Sequence, residues 1–287
     1  MAVVNTNIGA SIAQAALMRN ERALGSAMEQ LSTGRKINSA ADNAAGLAIS
    51  TRMTTQIRGL DAAIRNANDA VSMINTAEGA LDEITNMLQR MRELAVQAGT
   101  GTTDSSDRTY LNQEYSALRS EIDRIAENTQ WNGRNILDGS AGGSAQLSGV
   151  AFQIGVNPSQ TFSTSFGNFT VSTAGNLTGV MSSYISAATI ASAIAAASNA
   201  MTAVDTAIDY VSSQRAAFGA ASNRLTHTVD NLTNIKTNSE ASRSRILDTD
   251  YAAATSELAR TQIIQQAGTA MLAQANQLPQ TVLALLQ

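Results

Sequence analysis

The sequence predicts a mainly α protein: a long antiparallel helical rod, coiled-coil-like, with a small β-hairpin region and paired terminal helices. Three observations carry this. Apolar residues recur alternately four and three apart from Leu60 through Ile64, Ala67, Val71, Ile74, Ala77, Leu81, Ile84 and Leu88 to Met91, a seam too long for a compact domain. Seven-residue repeats mark both ends. Aromatic residues are only 4% of the chain and prolines number 2 in 287 residues, which suits helices packed closely through small side chains.

The first amphipathic helix is predicted from about Ser11 to Leu31. Leu17, Leu24 and Leu31 lie seven apart, with Ile8, Ile12 and Met28 beside them. Ser32-Thr33-Gly34-Arg35 breaks it, and Asn38-Ser39-Ala40-Ala41-Asp42 offers turn and N-cap chemistry. The long seam then predicts a helix over about 44–98, roughly 80 Å at 1.5 Å per residue. Gly99-Thr100-Gly101 ends it. Ser105 or Ser106 caps the next helix, which carries Leu111, Tyr115, Leu118, Ile122 and Ile125 and stops at Asn132-Gly133. So short a link makes these two helices antiparallel. Over 139–183 glycine, serine and threonine rise and the helical period disappears. Phe152-Gln153-Ile154 and Phe166 to Val171 alternate around Asn157-Pro158, which reads as a hairpin or small sheet. Helical periodicity returns at Ile190 and continues to about Asn238; a break is expected over Ser242 to Asp248. In the last helix Ile264, Met271, Leu278 and Leu285 repeat every seven, with Ala275 and Val282 falling four after members of that line. Such a seam needs a partner, and the first helix offers one. A chain that runs out along a rod and returns brings its termini together. The reading divides the chain into a terminal coiled-coil part, 1–43 with 243–287, and a rod, 44–242, that includes the hairpin region 139–183.

Most chemistry is excluded by count. The chain holds one histidine, His227, and no cysteine, so His- or Cys-rich metal sites cannot form and a nucleophile–base pair has a single possible base. Asp248-Thr249-Asp250 reads as a helix N-terminus, and Gly99-Thr100-Gly101 lacks the later glycine of a phosphate loop. No cofactor and no catalytic residue is assigned. The net charge of −4 argues against nucleic acid, and no apolar run approaches the roughly 18 residues of a membrane span. Absent cysteine fits an extracellular life. Met1 to Arg19 lacks the pattern of a cleaved secretory leader, so any exit from the cell is expected to use another route. One block stands apart. Arg90, Leu94 and Gln97 share a face flanking the main seam, and Leu94 there is either a second packing surface or part of a recognised binding face.

Several segments together resemble bacterial flagellin. They are Leu31-Ser32-Thr33-Gly34-Arg35-Lys36-Ile37-Asn38, Asp42-Asn43-Ala44-Ala45-Gly46-Leu47-Ala48-Ile49, the block from Arg90 to Gln97, Asn128-Thr129-Gln130-Trp131-Asn132-Gly133, and Gln274-Ala275-Asn276-Gln277-Leu278-Pro279-Gln280. Only about fifty non-helical residues separate the two helical halves, so the resemblance is to a short form without large outer domains. It implies a structural subunit that polymerises with itself into an extracellular filament for motility. The terminal segments would be disordered in the monomer and paired in the filament core, through Ile8, Ile12, Leu17, Leu24, Met28, Leu31, Ile264, Met271, Leu278, Val282 and Leu285. It implies partners too: a flagellar export chaperone, the type III flagellar export apparatus, junction and cap proteins, and the host Toll-like receptor that senses flagellin, met by Gln89, Arg90, Leu94 and Glu114. A hook–filament junction protein shares the terminal motifs and is the alternative. Pro279 inside the last helix is expected to kink or break it.

Overall fold

The computed structural model describes residues 7–140, 149–171, Leu177, Val180, Ile185 and 189–284, with side chains as far as Gln277. The protein is mainly α, with five helices and two small antiparallel strand pairs among these residues: α1 (Ile8–Thr33), α2 (Ala40–Ala98), α3 (Ser105–Asn128), β1 (Gln130–Trp131), β2 (Arg134–Asn135), β3 (Val150–Gln153), β4 (Thr161–Thr164), α4 (Ile190–Leu247) and α5 (Tyr251–Ala284). It divides into two compact units, one of residues 1–57 with 237–287 and one of residues 58–236.

The unit 58–236 is built on an unbroken apolar period. Buried positions on α2 run Leu60, Ala63, Ala67, Ala70, Ile74, Ala77, Leu81, Ile84, Leu88, Met91, Ala95 and Ala98, three and four apart throughout. On α4 the same spacing buries Ala197, Ala200, Val204, Ala207 and Val211 and, one seven-residue step on past half-buried Gln214 and Arg215, Phe218, Ala221 and Leu225. A 3.5-residue repeat keeps one stripe facing its partner along the whole length. Three ion pairs fix how the stripes align: Arg92 with Asp205 at 2.6 Å, Asp82 with Arg215 at 3.1 Å and Asp61 with Lys236 at 2.7 Å. Each step down α2 is matched by an equal step up α4, so the helices are antiparallel in one constant register. These pairs are largely exposed and contribute little energy singly; the buried stripes supply the stability and the charges discriminate against slipped registers.

Helix α3 closes the core with Tyr115, Ile122 and Ala126 and lies antiparallel to α2. Its cap position is Asp104 and not a serine. Arg108, only 1% exposed, reaches back from α3, donating through Nε to the carbonyl of Ala98 at 3.1 Å and through Nη2 to that of Thr100 at 2.9 Å. A cation thus sits on the carbonyl end of α2, where the helix dipole favours it. Burial pushes the Tyr115 phenol up to about 12, so it stays neutral in the core.

The β region differs from the sequence reading. Helix α3 stops at Asn128, and Asn132 (φ 50°) and Gly133 (φ 75°) form the tight turn between β1 and β2, as an Asn-Gly pair with two left-handed residues does. Strand β3 pairs with β4, Phe152 opposite Phe162. The segment Phe166 to Val171 is not a strand: Phe166, Phe169 and Val171 drop into the helical core, and Val171 N donates to Asp123 of α3 at 2.7 Å. Its alternation marks core anchors spaced along irregular backbone. The hairpin rests on the helices through Asn66 Nδ2, which donates to the carbonyl of Gln153 at 2.9 Å, and through the Arg224 guanidinium over the Phe162 ring at 5.0 Å.

In the unit 1–57 with 237–287, the breaks after α1 and after α4 are tied together. Lys36 N donates to Leu247 O at 2.7 Å and Thr249 N to Gly34 O at 3.0 Å. Gly34 is left-handed (φ 69°) beneath the Tyr251 ring, where a methyl group would come 2.9 Å from the hydroxyl. The break expected over Ser242 to Asp248 is shorter than that: α4 continues to Leu247, and Asp250 starts α5 by accepting from Ala252 N and Ala253 N. After α1, Asp42 accepts from Asn38 N and Ser39 N; the amide of Ser39, then that of Asn38, holds its carboxyl below the usual carboxylate value. Asn43 leaves helical geometry and caps Gly46 N at 2.8 Å. Helix α5 runs through Pro279 to Ala284 without the expected break.

Replacing Arg108 by alanine is expected to lower the stability of this protein by about 2–4 kcal/mol, since the buried Ala98 carbonyl and the part-buried Thr100 carbonyl lose a charged donor. Thermal unfolding followed by circular dichroism reads this as a lowered Tm; an unchanged Tm would show that solvent replaces the guanidinium at no cost.

Candidate functional site

The terminal pair of α1 and α5 is where structure departs most from sequence expectation. The helices pack along their lengths and antiparallel. Asn7 Nδ2 donates to Ala275 O at 2.7 Å, Asn20 Nδ2 to Thr261 O at 2.7 Å, and Gly34 meets Thr249. On α1 the covered line is Ala13, Leu17, Asn20, Leu24, Ala27 and Leu31; on α5 it is Ala254, Leu258, Thr261, Gln265, Gly268, Leu272 and Ala275. Both lines step by threes and fours. Yet the fully covered residues of this seam are Asn20 and Ala27 on α1 and Ala254 and Thr261 on α5, two alanines and two polar residues.

The seam is therefore large-on-small. Leu17 lies over Gly268, where an added methyl group would come 2.7 Å from Leu17 Cδ1. Leu17, Leu24 and Leu31 are half-buried in this seam. Ile8, Ile12 and Met28, expected beside them, are exposed. On α5 the heptad line Ile264 and Met271 runs one residue ahead of Gln265 and Leu272. One residue is about 100° of helix, so that line faces away from α1: Ile264 is 42% and Met271 64% exposed. The α5 line is thus an outward stripe and not the seam to α1. The reason is fit. At Ala254, Thr261, Gly268 and Ala275 the small side chains of α5 admit the leucines of α1, and Leu258, Gln265 and Leu272 are half-buried between them. Side chains of Leu278 and Val282 and the whole of Leu285 lie outside the described residues.

The second predicted face lies on α2 and α3. Arg90 Nε donates to Glu114 at 2.8 Å and its Nη1 to Glu93 at 2.9 Å; Glu114, then Glu93, raises the Arg90 pKa further. Gln89, Arg90 and Glu114 are exposed and brought together. Leu94 is not with them. It is 1% exposed and belongs to the core, because α3 covers the flank of α2 on which it stands. Of the two readings of Leu94, the packing surface is the one the fold uses. His227 is exposed on α4, and among the described residues no group of acids and histidine gathers to hold a metal. No helix among them is long and apolar enough to cross a membrane. Asn7, Asn20, Gly268 and Arg108 were not singled out from the sequence. Asn20 had a signal, since it stands in phase with Leu17 and Leu24.

Comparison with known proteins fits this arrangement. The bacterial flagellin N-terminal helical region matches residues 4–142 and the bacterial flagellin C-terminal helical region matches residues 201–286. A flagellin of Halalkalibacterium halodurans is 44% identical across 99% of this chain and 100% of its own length. This chain belongs to the bacterial flagellin family. A flagellin of Bacillus subtilis is 43% identical over 99% of each chain. Flagellin A of Vibrio cholerae is 38% identical over 99% of each, but across 377 aligned positions, so that flagellin carries residues with no counterpart here and this one is a short form. Among solved structures, a putative flagellar hook-associated protein of Vibrio parahaemolyticus aligns over 72% of this chain and all of its own, with TM-score 0.58 and 14% identity, which is a likeness of fold. As a flagellin, the chain is a structural subunit of the extracellular flagellar filament, formed by self-polymerisation, and not an enzyme.

Proposed function

We propose that copies of this chain meet through the outward faces of α1 and α5: Ile264 and Met271, continued at the same seven-residue spacing by Leu278 and Leu285, with Ile8, Ile12 and Met28; Val282 stands seven after Ala275 and so follows the seam line in sequence. The observation that carries this is the composition of the terminal pair: five half-buried leucines and small or polar residues share the seam, while Ile8, Ile12, Met28, Ile264 and Met271 are exposed on other faces. A soluble monomer rarely displays such stripes. A stripe that meets a different patch on the next copy gives a heterologous, open-ended contact, which builds a filament. Ordering the terminal helices costs about 1–2 kcal/mol of backbone entropy per residue, and the seam alone buries little to offset it. Residues 1–43 and 243–287 are accordingly disordered in the free subunit and order as neighbours cover them, while 44–242 form the part folded beforehand. Exit through the type III flagellar export apparatus suits such tails. An export chaperone covers the apolar stripe before exit, and junction and cap proteins meet the polymer's ends.

The exposed cluster of Gln89, Arg90 and Glu114 supports recognition by the flagellin-sensing Toll-like receptor. Arg90 offers a planar set of donors already aligned by Glu114 and Glu93, and arginine is frequent among interface hot spots. Leu94 serves from below, by packing the backbone that presents Arg90.

Two measurements test this. Ile264→Ser combined with Met271→Ser removes two side chains worth about 1.5–3 kcal/mol each on burial, so seeded assembly followed by sedimentation should fall more than about ten-fold, with unit 58–236 folded as before. Assembly at the wild-type level removes the stripe as the interface. For the receptor, Arg90→Ala should cost about 2 kcal/mol or more, a reporter-cell dose curve shifted by well over ten-fold. Leu94→Ala should instead lower stability by the about 2–5 kcal/mol typical of a core leucine, read as a lowered Tm. Equal potency of Arg90→Ala and wild type would discard the recognition site.

A further inference from the structure

The clasp between the two breaks has a consequence for the tails. Gly34–Thr249 and Lys36–Leu247 hold the roots of α1 and α5 within hydrogen-bond distance, so their pairing is intramolecular and its effective concentration is high. A seam of leucines rooted in this way would zip shut in a single chain. The residue standing at mid-seam, between the clasp and the outer tie of Asn7 to Ala275, is Asn20. It is 8% exposed, against Thr261 at 2%. Its amide leaves water for one cross-helix donation, to Thr261 O at 2.7 Å. That carbonyl belongs to a helix, and the Thr261 hydroxyl is turned back onto its own helix, to Glu257 O at 2.8 Å and Leu258 O at 2.9 Å. An amide buried on these terms gains little over its hydrated state. A leucine in the same phase, like Leu17 and Leu24 on either side, would gain the full benefit of burial.

We propose that Asn20 is a built-in weak point that keeps the terminal helix pair open in the free subunit, so that the outward stripes order on a growing filament and not before. This rests on the reading that the tails order on assembly. A polar residue at one seam position lowers pairing strength; here the clasp supplies proximity and Asn20 withholds closure. The device is intramolecular and needs no ligand.

The test uses the full-length free subunit, trypsin and filament seeds, and compares wild type with Asn20→Leu. Cleavage after Arg22, within α1, reports whether the pair is closed, while residues 58–236 serve as the folded internal control. Asn20→Leu should shift the open–closed equilibrium about ten-fold or more towards closed, the effect of burying one large apolar side chain; from a mostly open pair this slows that cleavage at least two-fold, and it should slow elongation onto seeds, since a closed pair must reopen. Asn20→Ala, which removes the amide and adds no bulk, should shift both rates in the same direction by less, and it stands in if the leucine variant misfolds. Wild-type subunits cut after Arg22 as slowly as filaments would overturn the reading beneath the proposal. Wild type cut quickly, with Asn20→Leu and Asn20→Ala cut equally quickly, would overturn the proposal alone. So would slower cleavage with unchanged elongation.

Discussion

Leu17 sits over Gly268, and the terminal helices come close because the residues between them are small. Ile8, Ile12, Met28, Ile264 and Met271 stand on other faces and are exposed. Close packing rewards the close approach only along the seam itself, where few large side chains are enclosed. A helix pair of this kind is held by its clasp, by two asparagines donating to carbonyls and by half-buried leucines. Its exposed apolar residues are the basis of the proposal that further copies of the chain cover it in the filament.

The unit 58–236 answers the same geometric problem in the opposite way. Its two long stripes keep the 3.5-residue period without one polar interruption between Leu60 and Ala98 on α2. Phe166, Phe169 and Phe218 add ring contacts, with the rings of Phe166 and Phe218 centred 5.3 Å apart. Arg108 closes the α2–α3 turn by serving the Ala98 and Thr100 carbonyls, and the ion pairs of α2 with α4 keep one register. This unit buries large side chains along the whole of its α2 stripe, whereas the seam of α1 and α5 buries Asn20, Ala27, Ala254 and Thr261 and leaves its leucines half-buried.

The long helices, the α2 stripe and the breaks near Gly34, Gly99 and Asp248 were legible because period and punctuation act locally. Three things were not. The outward turn of Ile264 and Met271 was hidden because two heptad lines lie one residue apart on α5, and ranking by size selects the wrong one; the helix spacing of the partner, set by Gly268 and Thr261, decides. The role of Phe166 to Val171 was hidden because alternation describes core anchors on irregular backbone as well as a strand. Leu94 carried both its readings in the sequence, and only the position of α3 separates them. Of the surface cluster, Gln89 and Arg90 are neighbours in sequence, but their meeting with Glu114 depends on the antiparallel turn that Arg108 secures.

Backbone hydrogen exchange, measured residue by residue in the free subunit and again in the assembled filament, addresses the central claim most directly, because protection tracks local opening. Amides of 8–33 and 251–277 should exchange rapidly in the free subunit and become protected in the filament, while those of 60–98 and 197–225 are protected in both. Terminal amides as strongly protected in the free subunit as in the filament would mean that the seam of small residues suffices by itself, and would contradict the account.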